Sequence, residues 1–278
     1  MSWGKWGKQL SIKEQADIID FCVENGNSTF DHADIYGDYT TEAEFGKALL
    51  ESNIKREKIK LISKCGIQLV GETRKSNKLK HYNYSKKYII ESAENSLKNL
   101  KTTYLDTFLL HRPSPLINPD EIAEAILILK ESGKIIDFGV SNFTPSQVNL
   151  IASKIPISTN QIEFSLTKCS AMFNGSLDQM MQNKIQPMSW NPLGAFFKEE
   201  TTKTKRIKEV LLKLSKKYAV TEDVILLAFI LKHPSKISPV IGTTNKERIL
   251  KANKSLEIIL ELEDWFMLLE ASLGHEVP

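Results

Sequence analysis

Apolar positions along this chain alternate between two rhythms. Ile12, Ala16, Ile19 and Phe21 to Val23 recur at helical spacing behind Ser11, which predicts a capped helix over IKEQADIIDFCVEN, stopped by Gly26. The next apolar run, from Thr29 and Phe30 onward, is too short for a helix and predicts a buried strand. The pair then repeats. Helices are expected at 41–51, 86–100, 119–132, 145–154, 175–183, 204–218, 223–232, 245–252 and 261–272, with strands at 59–63, 105–110, 137–140, 159–164, 186–190 and 238–241. Strands separated by helices throughout predict an α/β fold with a parallel sheet covered by helices, most simply a (β/α)8 TIM-type barrel. The count reaches seven strands. An eighth can only precede the first helix, where the chain offers MSWGKWG.

No low-complexity stretch or change of composition marks a boundary, so a single domain over 1–278 is expected. The 37 Lys plus Arg against 34 Asp plus Glu leave +3, too mild a charge to predict a nucleic-acid or polybasic membrane partner. Cys22, Cys65 and Cys169 are odd in number and widely spaced, which suits a reducing cytoplasm better than a disulfide framework. No apolar run approaches the roughly 20 residues of a membrane span. A monomer or weak homo-oligomer in the cytoplasm is the expectation.

Three predicted strands end in a polar residue just where the apolar run stops: TFDHADIYG, KIKLISKCG and YLDTFLLHRP. As strands of one barrel they bring Asp31, Tyr36, Lys64 and His111 to the carboxyl-terminal rim, where barrel enzymes keep their chemistry. Reducing a carbonyl needs a hydride on carbon and a proton for the developing alkoxide. A tyrosine beside an ammonium can supply the proton; Lys64 would be that ammonium, Asp31 would hold it, and His111 would orient the carbonyl. Taken singly each residue has a plain structural reading. As a set, in this order, they resemble the catalytic tetrad of the aldo-keto reductase family. DHADIYG, SKCGI, HRP, FGVSNFTP and the terminal LGHEVP are similar to a bacterial subgroup of its oxidoreductases. The resemblance implies an NADP-dependent reductase of small aldehydes or ketones. It also implies that Met1 to Gly4 is the tail of a first barrel strand, so that strand 1 is missing or a stub and the natural reading frame starts upstream.

The same resemblance implies that Ser141, Asn142 and Gln161 bind the nicotinamide carboxamide and that Trp190 stacks on its ring. Gly242, Thr243 and Thr244 stand before a helix, where free N–H groups favour phosphate, and Arg248 could reach a ribose 2′-phosphate with Lys246 nearby. Many family members carry a lysine where this chain has Gly242, so NADPH is expected with NADH possible. The stretch from Arg74 to Tyr88 should overhang the pocket, as a selector of substrate or a solvated lid.

Three other readings compete. Asp31, His32, Asp34 and His111 could be ligands of a metal-dependent hydrolase, but a second ligand pair on other strands is lacking, and His32 is expected in a hydrogen-bonded packing role. Lys64 could form a Schiff base in a lyase, against which Asp31 keeps it charged. A nicotinamide-binding regulatory or redox-sensing subunit would retain the fold without the chemistry.

Overall fold

The computed structural model describes residues 3–277, in two compact units, Met1–Asn160 and Gln161–Pro278. In the first, α1 (Ile12–Glu24) opens on the predicted Ser11 cap, which Glu14 completes as a capping box. The Ser11 hydroxyl accepts from the Glu14 N–H, and the Glu14 carboxylate accepts from the Ser11 N–H at 2.8 Å. There follow β1 (Thr29–Asp31), the single turn α2 (Tyr36–Tyr39), α3 (Thr41–Glu51), β2 (Lys60–Cys65), the short strands β3 (Ile67–Gln68) and β4 (His81–Tyr82), and α4 (Lys86–Leu100). The unit continues through β5 (Leu105–Leu110), α5 (Pro119–Glu131), β6 (Ile135–Ser141) and α6 (Pro145–Ala152).

Strands β1, β2, β5 and β6 pair in parallel and in that order. Asp31 stands opposite Ile62, Lys64 opposite Leu109 and Leu110 opposite Val140. After its first residue β2 is buried along its whole length, as a strand covered on both faces must be. Trp3, Phe30 and Phe45 pack beneath β1, with ring centroids 5.2 to 6.3 Å apart. Helices α3 and α4 touch where Gly46 meets the Asn99 carbonyl, an approach that any Cβ would block.

The division of the chain falls within β7 (Thr159–Glu163). The second unit carries α7 (Ser176–Gln182), β8 (Gln186–Trp190), α8 (Thr202–Tyr218), α9 (Glu222–Leu231), β9 (Ser238–Pro239), α10 (Lys246–Lys254) and α11 (Leu262–Leu273). Helix α9 is buried from Val224 through Ile230, an all-round apolar helix encased by its neighbours. Trp265 of α11 stacks on Phe229 at 4.8 Å and donates its indole N–H to the Phe229 carbonyl at 3.0 Å.

Predicted and observed elements agree closely, with instructive differences. The last strand, expected over 238–241, is Ser238–Pro239; Pro239 lacks a ladder donor, though the Val240 N–H still reaches the Ser189 carbonyl. The antiparallel β3–β4 pair was not predicted, because two-residue strands show no alternation to read. Of the expected strand remnant at residues 1–4, Met1 and Ser2 lie outside the described residues, and Trp3 and Gly4 form a bend. Among the described residues no helix is long and apolar enough to cross a membrane.

Candidate active site

Asp31 is the last residue of β1, Lys64 the penultimate residue of β2, and His111 follows β5, so parallel pairing alone carries all three to one end of the first unit's sheet. Lys64 is fully buried. Its ammonium donates to Asp31 Oδ2 at 2.7 Å, to the His32 carbonyl at 2.8 Å and to the Tyr36 hydroxyl at 3.3 Å. Burial by itself would lower the Lys64 pKa, but the Asp31 carboxylate and then Tyr36 outweigh it and hold the ammonium above its ordinary range. The group is therefore a fixed cation with its three donors spent.

His111 presents an edge to the Tyr36 ring, with centroids 5.8 Å apart, and Lys64 lies 5.1 Å from the centre of that ring. Burial, with Lys64 and Arg112 adding to it, pushes the His111 pKa well down, so the imidazole is neutral. The four predicted residues thus meet in one cluster. His32 departs from expectation: it is fully buried against Phe45, centroids 4.3 Å apart, and neither ring nitrogen has a hydrogen-bond partner. Its packing is aromatic and not polar, because the strand turns it away from the rim onto the phenylalanine cluster. Asp34 accepts from Tyr88 and Ser92 at 3.1 and 3.2 Å, and burial, reinforced by nearby Glu42, pushes its pKa up to about 7. Among the described residues no three His, Cys, Asp or Glu side chains gather as a metal site.

The turn that carries Tyr36 is strained. Gly37, Asp38 and Tyr39 all have positive φ, at 63°, 59° and 68°, and two of them are not glycine. What over-determines this backbone is the segment between β3 and β4. Thr73 donates to the Asp38 carbonyl at 2.8 Å, the Leu69 N–H donates to the Tyr39 hydroxyl at 3.1 Å, and the Arg74 guanidinium covers the Tyr39 ring at 4.8 Å. Ile67, Leu69 and Tyr82 pack with Ile35, Tyr36 and Tyr39 in one apolar cluster. The stretch expected to overhang the pocket therefore begins, at Arg74, by bracing the turn that carries Tyr36. Sequence reasoning missed this role for Thr73 and Arg74, because their partners Asp38 and Tyr39 lie 35 residues earlier in the chain and no local pattern marks the contact.

Of the expected cofactor residues, Ser141 ends β6, buried, and Asn142 follows it at φ 62°, donating to the Ser141 hydroxyl at 2.7 Å. In the second unit Gln161 is buried in β7, and Trp190 ends β8 half-buried. Gly242 is exposed, and a Cβ there would meet nothing within 4 Å. Asn245 caps α10 by accepting from the Arg248 N–H at 3.0 Å, which leaves the exposed Lys246 and Arg248 side chains on the first turn. Threonine hydroxyls and two exposed cations at a helix start are groups of the kind that suit a phosphate.

Solved aldo-keto reductases share this fold. The thermostable reductase Tm1743, in complex with the inhibitor epalrestat, superposes with a TM-score of 0.83 over 97% of this chain and 93% of that one, at 24% identity. An aldo-keto reductase from Klebsiella pneumoniae in complex with NADPH gives 0.77 over 100% and 90%, at 22% identity. These likenesses define an α/β protein of the TIM-barrel class. Residues 1–272 match the aldo/keto reductase family model, and the chain belongs to that family. It is 41% identical to the uncharacterized oxidoreductase YcsN of Bacillus subtilis over 96% of this chain and 91% of the relative. It is 37% identical to a 6-dehydroglucose reductase of Agrobacterium fabrum over 93% and 88%.

Proposed function

We propose that the protein reduces an aldehyde or ketone to an alcohol with NADPH, using Tyr36 as proton donor. The observation that carries the reading is the buried Lys64 ammonium, 2.7 Å from Asp31 and 3.3 Å from the Tyr36 hydroxyl. Family membership supports carbonyl reduction in general. A nicotinamide dinucleotide, when bound, supplies the hydride. Tyr36 gives its proton to the carbonyl oxygen as charge develops there, and Lys64 stabilises the phenolate left behind. Asp31 keeps Lys64 charged and aimed. His111, neutral, offers a ring nitrogen to the carbonyl and sets its orientation without competing as a cation.

Ser141, Asn142, Gln161 and Trp190 are assigned to the nicotinamide, and Gly242, Thr243, Thr244 and Arg248 to the phosphates, with NADPH preferred for the Arg248 guanidinium. A Schiff-base role for Lys64 is disfavoured, because an amine held protonated is a poor nucleophile. The test is Tyr36→Phe, assayed with NADPH and a carbonyl panel led by 6-dehydroglucose, after the Agrobacterium relative's name. We expect kcat to fall roughly 10²–10⁴-fold with NADPH affinity unchanged, since the ring stays while the proton donor goes. Unchanged turnover in that variant removes Tyr36 from the mechanism.

A further inference from the structure

Tyr84 lies between β4 and α4, outside the four residues assigned to chemistry, and is buried. Its hydroxyl donates to the Arg112 carbonyl at 2.5 Å and accepts from the Arg112 N–H at 3.1 Å, so one phenol satisfies both backbone groups of a single loop residue. The same oxygen stands 3.4 Å from the Cys65 carbonyl. Arg112 directly follows His111, and Cys65 directly follows Lys64. The ring fills the space that Gly66 leaves: Gly66 has φ +112°, and a Cβ there would overlap the phenol. Backbone bonds lace the same region, from the Asn83 N–H to Gly66 and from the His111 N–H to Cys65, both at 2.9 Å.

His111 has reason to need such a support. Its Nδ1 is buried with no hydrogen-bond partner, and its contact with Tyr36 is an aromatic edge, which constrains direction less than a hydrogen bond. The ring is therefore placed by its backbone, held before it by the Cys65 carbonyl and after it by Tyr84. We propose that Tyr84 is a positioning residue for His111, holding its strand end against the Cys65 strand end through the Arg112 backbone and not acting on the substrate. The inference rests on the carbonyl-reduction reading above. Burial raises the Tyr84 pKa well above that of a free tyrosine, so the phenol remains able to donate across the working pH range.

The experiment is Tyr84→Phe, which keeps the ring over Gly66 and removes the hydroxyl. With saturating NADPH, kcat should fall on the order of tenfold while NADPH affinity by fluorescence titration is unchanged. In a His111→Gln background the same substitution should change kcat by less than about twofold, because the residue it positions is gone. Equal losses in the two backgrounds, or a parallel loss of kcat and NADPH affinity, overturn the proposal in favour of a purely structural role. A readout without turnover separates it from the reductase reading. In ring-labelled histidine spectra, the signal that His111→Gln removes should be single and sharp in the unaltered protein and broadened or split in Tyr84→Phe, with the His32 signal unmoved. If the unaltered protein reduces no carbonyl, the reductase reading has failed and this spectrum alone decides the clamp; an unperturbed His111 signal overturns it.

Discussion

Lys64 and Asp31 form a charged pair with almost no access to water, Lys64 at 0% and Asp31 at 13% side-chain exposure. Removing one partner of such a pair leaves an uncompensated buried charge. Asp31→Ala, which strands the fully buried Lys64 cation, should cost about 3–5 kcal/mol of stability, read by denaturant unfolding, whereas Lys64→Met strands only the partly exposed Asp31 carboxylate and should cost less. The reverse order would show that the pair does not behave as a buried ion pair. Asp34 makes a pH prediction. Its folded pKa, about 7, lies above the 3.8 of a free aspartate, so the folded chain binds this proton more tightly than the unfolded chain does. Stability is then lost as pH rises from about 4 to about 7, by at most about 4 kcal/mol from this group, and stays lost above. Asp34→Asn should equal the unaltered protein in melting temperature near pH 4 and exceed it at pH 8. No gain at pH 8 would mean that Asp34 stays hydrated and titrates normally.

At the scale of elements, the decisive feature is a left-handed turn braced by a hairpin. Gly37 sits at φ 63° with the Thr41 hydroxyl against the position a Cβ would take. Gly37→Ala should therefore cost about 1–3 kcal/mol in backbone strain, and because Tyr36 adjoins the turn, kcat should fall with NADPH affinity retained. Activity equal to that of the unaltered protein in a destabilised variant would show that Tyr36 is held independently of the turn. The helices were far more legible than this turn. Ser11 with Glu14 and Thr144 with Gln147 are capping boxes whose partners lie three residues apart, so their signal is complete within one stretch of chain. The brace on Asp38 and Tyr39, by contrast, comes from Thr73 on the first and from Leu69 and Arg74 on the second, 30 to 35 residues on.

For the molecule as a whole, family membership and a donor set suited to phosphate predict that cofactor and fold stabilise each other. NADPH at about 100 times its dissociation constant should add roughly 2.7 kcal/mol of stability, seen as a raised melting temperature. NADH at the same concentration should add less, and Arg248→Ala should remove that difference while leaving the NADH shift intact. An equal loss for both cofactors would assign Arg248 to the adenine or to the fold.

The sequence by itself determined the alternation of strand and helix, the caps, and the placing of Asp31, Lys64 and His111 at strand ends, because periodicity and polarity are properties of neighbouring residues. It also carried the resemblance through which those residues were read as one set. Only the tertiary structure decided that His32 is packed on Phe45 with both nitrogens unpartnered, that burial pushes the Asp34 pKa up, and that Tyr84 clamps Arg112. Each of these depends on desolvation or on a partner far away in the chain. Burial and long-range hydrogen bonds come from how elements pack, and no local pattern of residues encodes them.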